Sequence, residues 1–277
     1  MTVHDIILNN EVRIPQVGFG TFQVSAEETQ RVVEQALAAG YRHIDTAAAY
    51  GNEEGVGAAL RAVGLPASDV FVTTKLRNGE QGYESALAAF EASRRKLGLD
   101  VVDLYLIHWP VPSKDRYVET WRAFEKLLAE GAVRAIGVSN FLPDHLERLR
   151  GEADITPAVN QIEVHPTFQQ PATQAACRAH GIAVQAYSPL GRGKGLDHDV
   201  IGAIAAAHGV TPAQVVLRWH LDQGRIVIPK SVTPQRIAAN IDLDFTLDDA
   251  QLHAIDALDT DERTGADPAT ASFSQMG

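Results

Sequence analysis

Short apolar runs alternate along this chain with longer stretches whose apolar positions recur at helical spacing. The runs are Val17-Gly18-Phe19, Arg42-His43-Ile44, Val70-Phe71-Val72-Thr73, Asp103-Leu104-Tyr105-Leu106-Ile107, Ala135-Ile136-Gly137-Val138, Ala158-Val159-Asn160-Gln161-Ile162, Ala183-Val184-Gln185-Ala186 and Ile226-Val227-Ile228. Each reads as a buried strand, and the stretches between them read as amphipathic helices. Tyr117, Trp121, Phe124 and Leu128 mark the buried face of one such helix. Glycines at 40, 98, 131, 181 and 224 each fall between a helical stretch and the next strand. There the chain needs the left-handed turn that glycine adopts without a side-chain clash. Ser25 with Glu28, Thr211 with Gln214 and Thr246 with Asp249 have capping-box spacing, and Pro212 suits a first helical position.

Strands joined through helices are parallel, so all their C-terminal ends lie on one face. Eight strands in this alternation predict an α/β fold, a closed (β/α)8 TIM barrel, with an open doubly wound sheet as the alternative. No break in composition divides residues 1–277, so one domain is expected. His4 to Leu8 and Glu11 to Ile14, flanking Asn9-Asn10, predict an N-terminal β-hairpin that plugs the bottom of the barrel. The polar, turn-rich segment after Leu258 predicts a C-terminal surface tail.

The strand ends are chemically loaded. Ile44 runs into Asp45, with Tyr50 a short turn further on; Thr74 runs into Lys75; Ile107 runs into His108. A parallel barrel brings these four to one mouth, where an acid, a phenol, an amine and an imidazole make a proton-transfer site. Taken singly, each has a plainer reading: a turn cap, an ordinary aromatic, a solvated strand end, a core histidine. Reducing a carbonyl requires a hydride at carbon and a proton at oxygen. A free tyrosine, with a pKa of about 10, is a reluctant acid near neutrality. A Lys75 ammonium beside it would bring that pKa down, and Asp45 would hold Lys75 charged and in place.

Composition narrows the function. A formal net charge of -11 argues against general affinity for nucleic-acid phosphates or an anionic membrane surface. The single cysteine, Cys177, allows no intramolecular disulfide and fits a reducing compartment; its helical surroundings suit a structural thiol. With no basic, apolar N-terminal leader and no apolar run of about 18 residues, a cytoplasmic protein is expected. The histidines are scattered, without His-Glu-x-x-His or paired cysteines, so no metal site is expected. Gly18-Phe19-Gly20 is not a dinucleotide fingerprint, and Gly191 to Gly195 lacks the phosphate-loop spacing.

The segments Ile44-Asp45-Thr46-Ala47-Ala48-Ala49-Tyr50-Gly51-Asn52-Glu53, Leu106-Ile107-His108-Trp109-Pro110, Ile136-Gly137-Val138-Ser139-Asn140-Phe141 and Ile228-Pro229-Lys230-Ser231 resemble the signatures of the aldo-keto reductase superfamily. The likeness spans nearly the whole chain, in family order. It is similar in particular to bacterial 2,5-diketo-gluconate reductase-type members, through Tyr50 to Gly57 and Pro157 to Glu163. The resemblance implies NADPH-dependent reduction of aldehydes and ketones by a monomer, with Tyr50 as acid assisted by Lys75, Asp45 and His108. It assigns Ser139, Asn140 and Gln161 to the nicotinamide carboxamide and Tyr187 to stacking on the nicotinamide ring. It assigns Lys230, Ser231 and Arg236 to the adenosine 2′-phosphate, for which two cations and a hydroxyl are suited. Phe22, Trp109 and Phe273 become the apolar walls of a pocket for small carbonyls, dicarbonyls or keto-sugars.

One departure stands out. Many relatives carry tryptophan where this chain has Arg77, in Lys75-Leu76-Arg77-Asn78. Arg77 is expected either on the surface or as a cation near the mouth that favours acidic substrates. The loop from Pro110 to Arg116 is short, which predicts an open pocket. Two other readings compete: a regulatory barrel that binds NADPH with little turnover, which would not need Tyr50, and an aldolase using Lys75 as a Schiff base. The pairing of Lys75 with Asp45 opposes the second, because it keeps the amine protonated.

Overall fold

The computed structural model describes residues 4–275. Strands β1 (Asp5–Ile7) and β2 (Arg13–Pro15) pair antiparallel as the expected N-terminal hairpin. The barrel strands follow as β3 (Phe19–Gly20), β4 (His43–Asp45), β5 (Phe71–Leu76), β6 (Val102–Ile107), β7 (Val133–Ser139), β8 (Val159–Glu163), β9 (Ala183–Tyr187) and β10 (Ile226–Val227). Neighbours in sequence are neighbours in the sheet, all parallel. A parallel bridge between Val17 and Val227 closes the ring, with Gly18 N–H donating to Val227 O at 2.8 Å and Val227 N–H to Gln16 O at 2.9 Å. The first barrel strand therefore lies slightly later than its apolar run, and Val17 serves as the closing residue.

The helices are α1 (Ala26–Ala38), α2 (Glu53–Val63), α3 (Tyr83–Leu97), α4 (Tyr117–Ala129), α5 (Pro143–Glu152), α6 (Pro171–Ala179), α7 (Asp199–His208), α8 (Pro212–Asp222), α9 (Pro234–Ala239) and α10 (Asp249–Asp256). Their start signals are met in side-chain detail. Ser25 Oγ accepts from Glu28 N at the head of α1; Thr211 and Gln214 exchange both capping-box bonds around Pro212 at the head of α8. The third expected box is displaced. α10 is capped by Asp248 with Gln251, not by Thr246, because Leu247 N–H donates to Asp222 Oδ2 at 3.0 Å and keeps residue 247 outside the helix. Of the five inter-element glycines, Gly98 shows the geometry clearly: φ is +69°, and the amides of Gly98 and Leu99 both reach back to Arg94 O.

The main core lies between the sheet and the helix ring. Tyr117, Trp121 and Phe124 of α4 are buried there, with Leu128 packed at its edge. A second cluster fills the barrel bottom. Leu8 and Ile14 of the hairpin pack on Phe71, Leu104, Ala135, Ala158 and Ile226, near the N-terminal ends of the strands. Asn9 and Asn10 add side-chain hydrogen bonds to Pro157 O and Arg134 O. The hairpin thus seals the end opposite the strand termini that carry the chemistry. Cys177 is buried within α6, and burial pushes its thiol up to about 11, so it is inert near neutrality.

The tail after Leu258 stays at the surface but follows a fixed path across the barrel mouth. Thr264 and Gly265 donate backbone N–H bonds to the Glu163 carboxylate at 2.7 and 2.9 Å. Gly79 N–H donates to Ser274 O, and Asn78 Nδ2 donates to Phe273 O. No single described helix is long and apolar enough to cross a membrane.

Candidate active site

Asp45 ends β4, and Tyr50 follows in a single helical turn, Ala48–Tyr50. Lys75 lies in β5, and His108 directly follows β6. The parallel register places Asp45 opposite Thr73 and Lys75 opposite Leu106, so the four side chains converge. Lys75 Nζ lies 2.5 Å from Asp45 Oδ1, 2.9 Å from Thr46 O and 3.4 Å from Tyr50 Oη. An ammonium has three N–H donors, and these partners use all of them. Gln161 Nε2 donates to the other Asp45 oxygen, Oδ2, at 2.8 Å. The rings of Tyr50 and His108 meet edge-on at 5.7 Å.

Electrostatics here are governed by burial. Burial raises the Asp45 carboxyl and lowers the Lys75 ammonium, while their mutual attraction opposes both shifts. Burial lowers His108 well below the usual imidazole range, and the positive Lys75 adds to this, so the ring is neutral at neutral pH. Tyr50 departs from the sequence expectation. Its phenol is raised well above the ordinary value, first by burial, then by the negative charge of Asp45. Lys75 spends its field on Asp45, so it does not leave Tyr50 more acidic in the resting site.

Asp45, Tyr50 and His108, with Lys75 buried behind them, line a cavity of about 740 Å³ together with Phe22, Trp109, Phe273, Ser139, Asn140, Gln161, Tyr187, Lys230 and Arg236. The three aromatics form walls over the mouth: Phe22 lies 5.1 Å from the Tyr50 ring, and Trp109 meets Phe273 edge-on at 5.1 Å. Deeper in, Asn140 Nδ2 donates to His108 O at 3.0 Å and to Ser139 Oγ at 3.1 Å, while Tyr187 Oη donates to Asn140 Oδ1 at 2.8 Å. Ser139 Oγ donates to Gln161 O at 2.9 Å. Gln161 therefore spends one of its two amide N–H donors on Asp45 and keeps the other, with its amide oxygen, for a ligand.

Lys230 and Arg236 also line the cavity, and no described residue pairs with either cation. Ser231 does not line the cavity. Its Oγ accepts from Thr233 N at 3.1 Å, just before α9, leaving the hydroxyl hydrogen unassigned to that bond. Arg77 is neither free on the surface nor a cation in the pocket. Its Nη2 donates to Ala48 O at 2.6 Å, under the turn that carries Tyr50, and the residue does not line the cavity. Among the described residues, no three His, Cys, Asp or Glu side chains are gathered to hold a metal.

Two parts of the site escape the sequence reading. The first is the segment after β9, where Ser188, Leu190, Arg192 and Gly193 line the cavity. The alternation Gly191-Arg192-Gly193-Lys194-Gly195 was its signal, a glycine-rich turn that matches no phosphate-loop spacing. The second is Gln275, which contacts His108 from the tail and carries no local motif.

The chain that carries this carboxylate–ammonium–phenol–imidazole cluster at the mouth of its barrel is similar along its length to known proteins. The Aldo/keto reductase family model matches residues 16–260. An aldo-keto reductase of Mycolicibacterium smegmatis is 53% identical over 269 residues, covering 97% of this chain and 98% of that protein. The glyoxal reductase of Bacillus subtilis is 48% identical over 268 residues, covering 96% of each. The crystal structure of a mutant of Gox0644 in complex with NADPH superposes with a TM-score of 0.95 at 48% identity, covering 99% of this chain and 100% of that one. Matched along nearly its whole length in sequence and in structure, this chain belongs to the aldo/keto reductase family.

Proposed function

We propose that this protein is an NADPH-dependent reductase of small aldehydes and ketones, including dicarbonyls and keto-sugars, with Tyr50 as the general acid. The observation that carries this reading is the placement of Tyr50 Oη within 3.4 Å of the buried Lys75 ammonium, beside the His108 ring. The cavity fits the cofactor on its own terms. Its lining includes the donors and acceptors of Ser139, Asn140 and Gln161, the Tyr187 ring, and the cations of Lys230 and Arg236, which pair with no described residue. When bound, NADPH supplies the hydride to the carbonyl carbon.

The protein's own residues handle the proton and the orientation. Tyr50 holds its proton through the neutral range, because burial and Asp45 disfavour the phenolate. It gives that proton to the carbonyl oxygen as negative charge develops there, and the phenolate left behind is stabilised by the adjacent Lys75. Asp45 keeps Lys75 charged and fixed, and Gln161 and Thr46 complete the frame. Neutral His108 hydrogen-bonds the carbonyl oxygen and sets its direction. Phe22, Trp109 and Phe273 exclude water from the reacting face and bind apolar or compact substrates. The relative that is a glyoxal reductase supports the dicarbonyl end of this range.

Lys75 has no N–H left over and sits in an ion pair, which counts against Schiff-base chemistry. A panel of aldehydes, dicarbonyls and keto-sugars, with NADPH oxidation followed optically, tests the reading. Turnover on several members is expected, with Tyr50→Phe losing at least about two orders of magnitude while still binding NADPH. Near-normal turnover in Tyr50→Phe with chemistry rate-limiting would remove Tyr50 from its role.

A further inference from the structure

Gln275 lies in the last described segment, and its side chain returns into the mouth of the barrel. Its Oε1 accepts from the backbone N–H of Asn78 at 3.1 Å, and its Nε2 lies 3.3 Å from His108 Nδ1. The first contact decides the chemistry of the second. A backbone N–H can only donate, so the amide oxygen faces Asn78 and the amide nitrogen faces the imidazole. An amide nitrogen can only donate, so the ring nitrogen it meets must be the unprotonated one. A neutral imidazole carries one ring proton, which is then on Nε2.

We infer that Gln275 is a positioning residue that holds His108 as its Nε2–H tautomer, so that the ring offers a hydrogen-bond donor rather than a lone pair to a carbonyl oxygen. This rests on the proposed carbonyl reduction, which is what gives the donor its use. No described residue engages His108 Nε2, whereas Nδ1 is taken by the tail. The ring does not simply gain a second proton, because burial disfavours its charged form and the nearby Lys75 repels one, while Tyr50 packs edge-on against it.

The same short segment supplies the Phe273 wall. Asn78 Nδ2 donates to Phe273 O at 3.0 Å, Gly79 N–H donates to Ser274 O at 2.7 Å, and the Phe273 ring meets Trp109. Docking of the tail on residues 78–79 therefore completes the substrate wall and sets the histidine tautomer in one event.

The test is the 15N spectrum of the full chain labelled at histidine, with the His108 signals identified by their loss in His108→Gln. Wild type is expected to show Nδ1 unprotonated and Nε2 protonated. Gln275→Glu keeps an acceptor for Asn78 but presents a carboxylate to the ring, so Nδ1 should become the protonated nitrogen. Its kcat should fall about ten-fold or more with little change in NADPH affinity. Gln275→Leu, of similar size but without the amide, should give a mixture of tautomers and an intermediate kcat. An unchanged tautomer in both variants, or a wild-type ring protonated at Nδ1, would overturn the inference even if activity fell. The expected tautomer shifts in a protein that reduces no carbonyl would uphold the positioning contact and overturn the proposed reaction instead.

Discussion

Lys75 and Asp45 form an ion pair that solvent does not reach: Nζ and Oδ1 are 2.5 Å apart, and the two side chains are 0% and 2% exposed. Neither charge is tolerable there alone. Desolvation costs several kcal/mol per ion, and only the partner, with the added bonds from Thr46 and Gln161, offsets it. The Lys75 ammonium of this pair also lies 3.4 Å from Tyr50 Oη.

Breaking the pair should therefore be worse than removing it. Asp45→Ala and Lys75→Met are each expected to cost about 3–5 kcal/mol, because each strands a buried charge. The double variant should be more stable than the sum of the two predicts by about 1–3 kcal/mol. Urea unfolding of all four proteins measures this; strict additivity would mean the two charges do not depend on each other.

The raised phenol of Tyr50 sets the sign of the pH dependence. Reduction needs the protonated phenol, so its rate should be flat through neutrality and fall only at alkaline pH. Oxidation of the alcohol needs the phenolate and should rise with pH over the same range. Steady-state profiles in both directions check this, and a reduction rate that already falls below neutrality would show a depressed phenol instead.

Arg77 supports the Tyr50 turn through Ala48 O and does not reach the cavity. Arg77→Ala should accordingly lower kcat by a similar factor on anionic and neutral carbonyls. A selective loss on anionic substrates would restore the electrostatic role that the sequence suggested.

Among the described residues, none pairs with Lys230 or Arg236, which leaves their charges for the 2′-phosphate proposed above. Charge-assisted contacts contribute about 1.5–3 kcal/mol each when well formed. After screening by solvent and salt, a preference for NADPH over NADH of tens- to thousands-fold is expected. Arg236→Ala should weaken NADPH strongly and NADH little, and the NADPH dissociation constant should rise with salt. Fluorescence titration of both cofactors decides; equal losses would place Arg236 on the fold or the adenine.

Glu163 anchors the tail. Burial alone would raise its carboxyl, but bonds from His165, the Thr264 hydroxyl and the amides of Thr264 and Gly265 outweigh it and take the value down from 4.5 to about 2. A depressed acid contributes stability that is fully present above about 4.5 and is lost as pH falls towards about 2, here about 2 kcal/mol after allowing for screening. Glu163→Gln should lose this contribution, with a lower melting temperature at pH 7 and little difference from wild type near pH 2. An unchanged melting temperature at pH 7 would mean the tail is held elsewhere.

The periodic part of the sequence determined the architecture. Each barrel strand is buried on both faces, and each helix hides one, so apolar runs and helical stripes had to appear in the chain in order. Asp45, Lys75 and His108 were legible as a cluster because a parallel sheet sends all strand ends to one side, a rule that needs no coordinates. Cap positions were legible too, except where a long-range bond intervened: Leu247 tied to Asp222 moved the start of α10 beyond anything local spacing shows. The direction of the Tyr50 shift, the turning of Arg77 towards Ala48, the capture of Gln161 by Asp45 and the return of Gln275 to His108 were decided only in three dimensions. Each depends on burial or on a partner far away in sequence, 197 residues for Gln275 and Asn78 and 116 for Gln161 and Asp45. Local sequence encodes which groups are present and which way a strand delivers them. The field and the hydrogen-bond partners each one meets are properties of the packed whole.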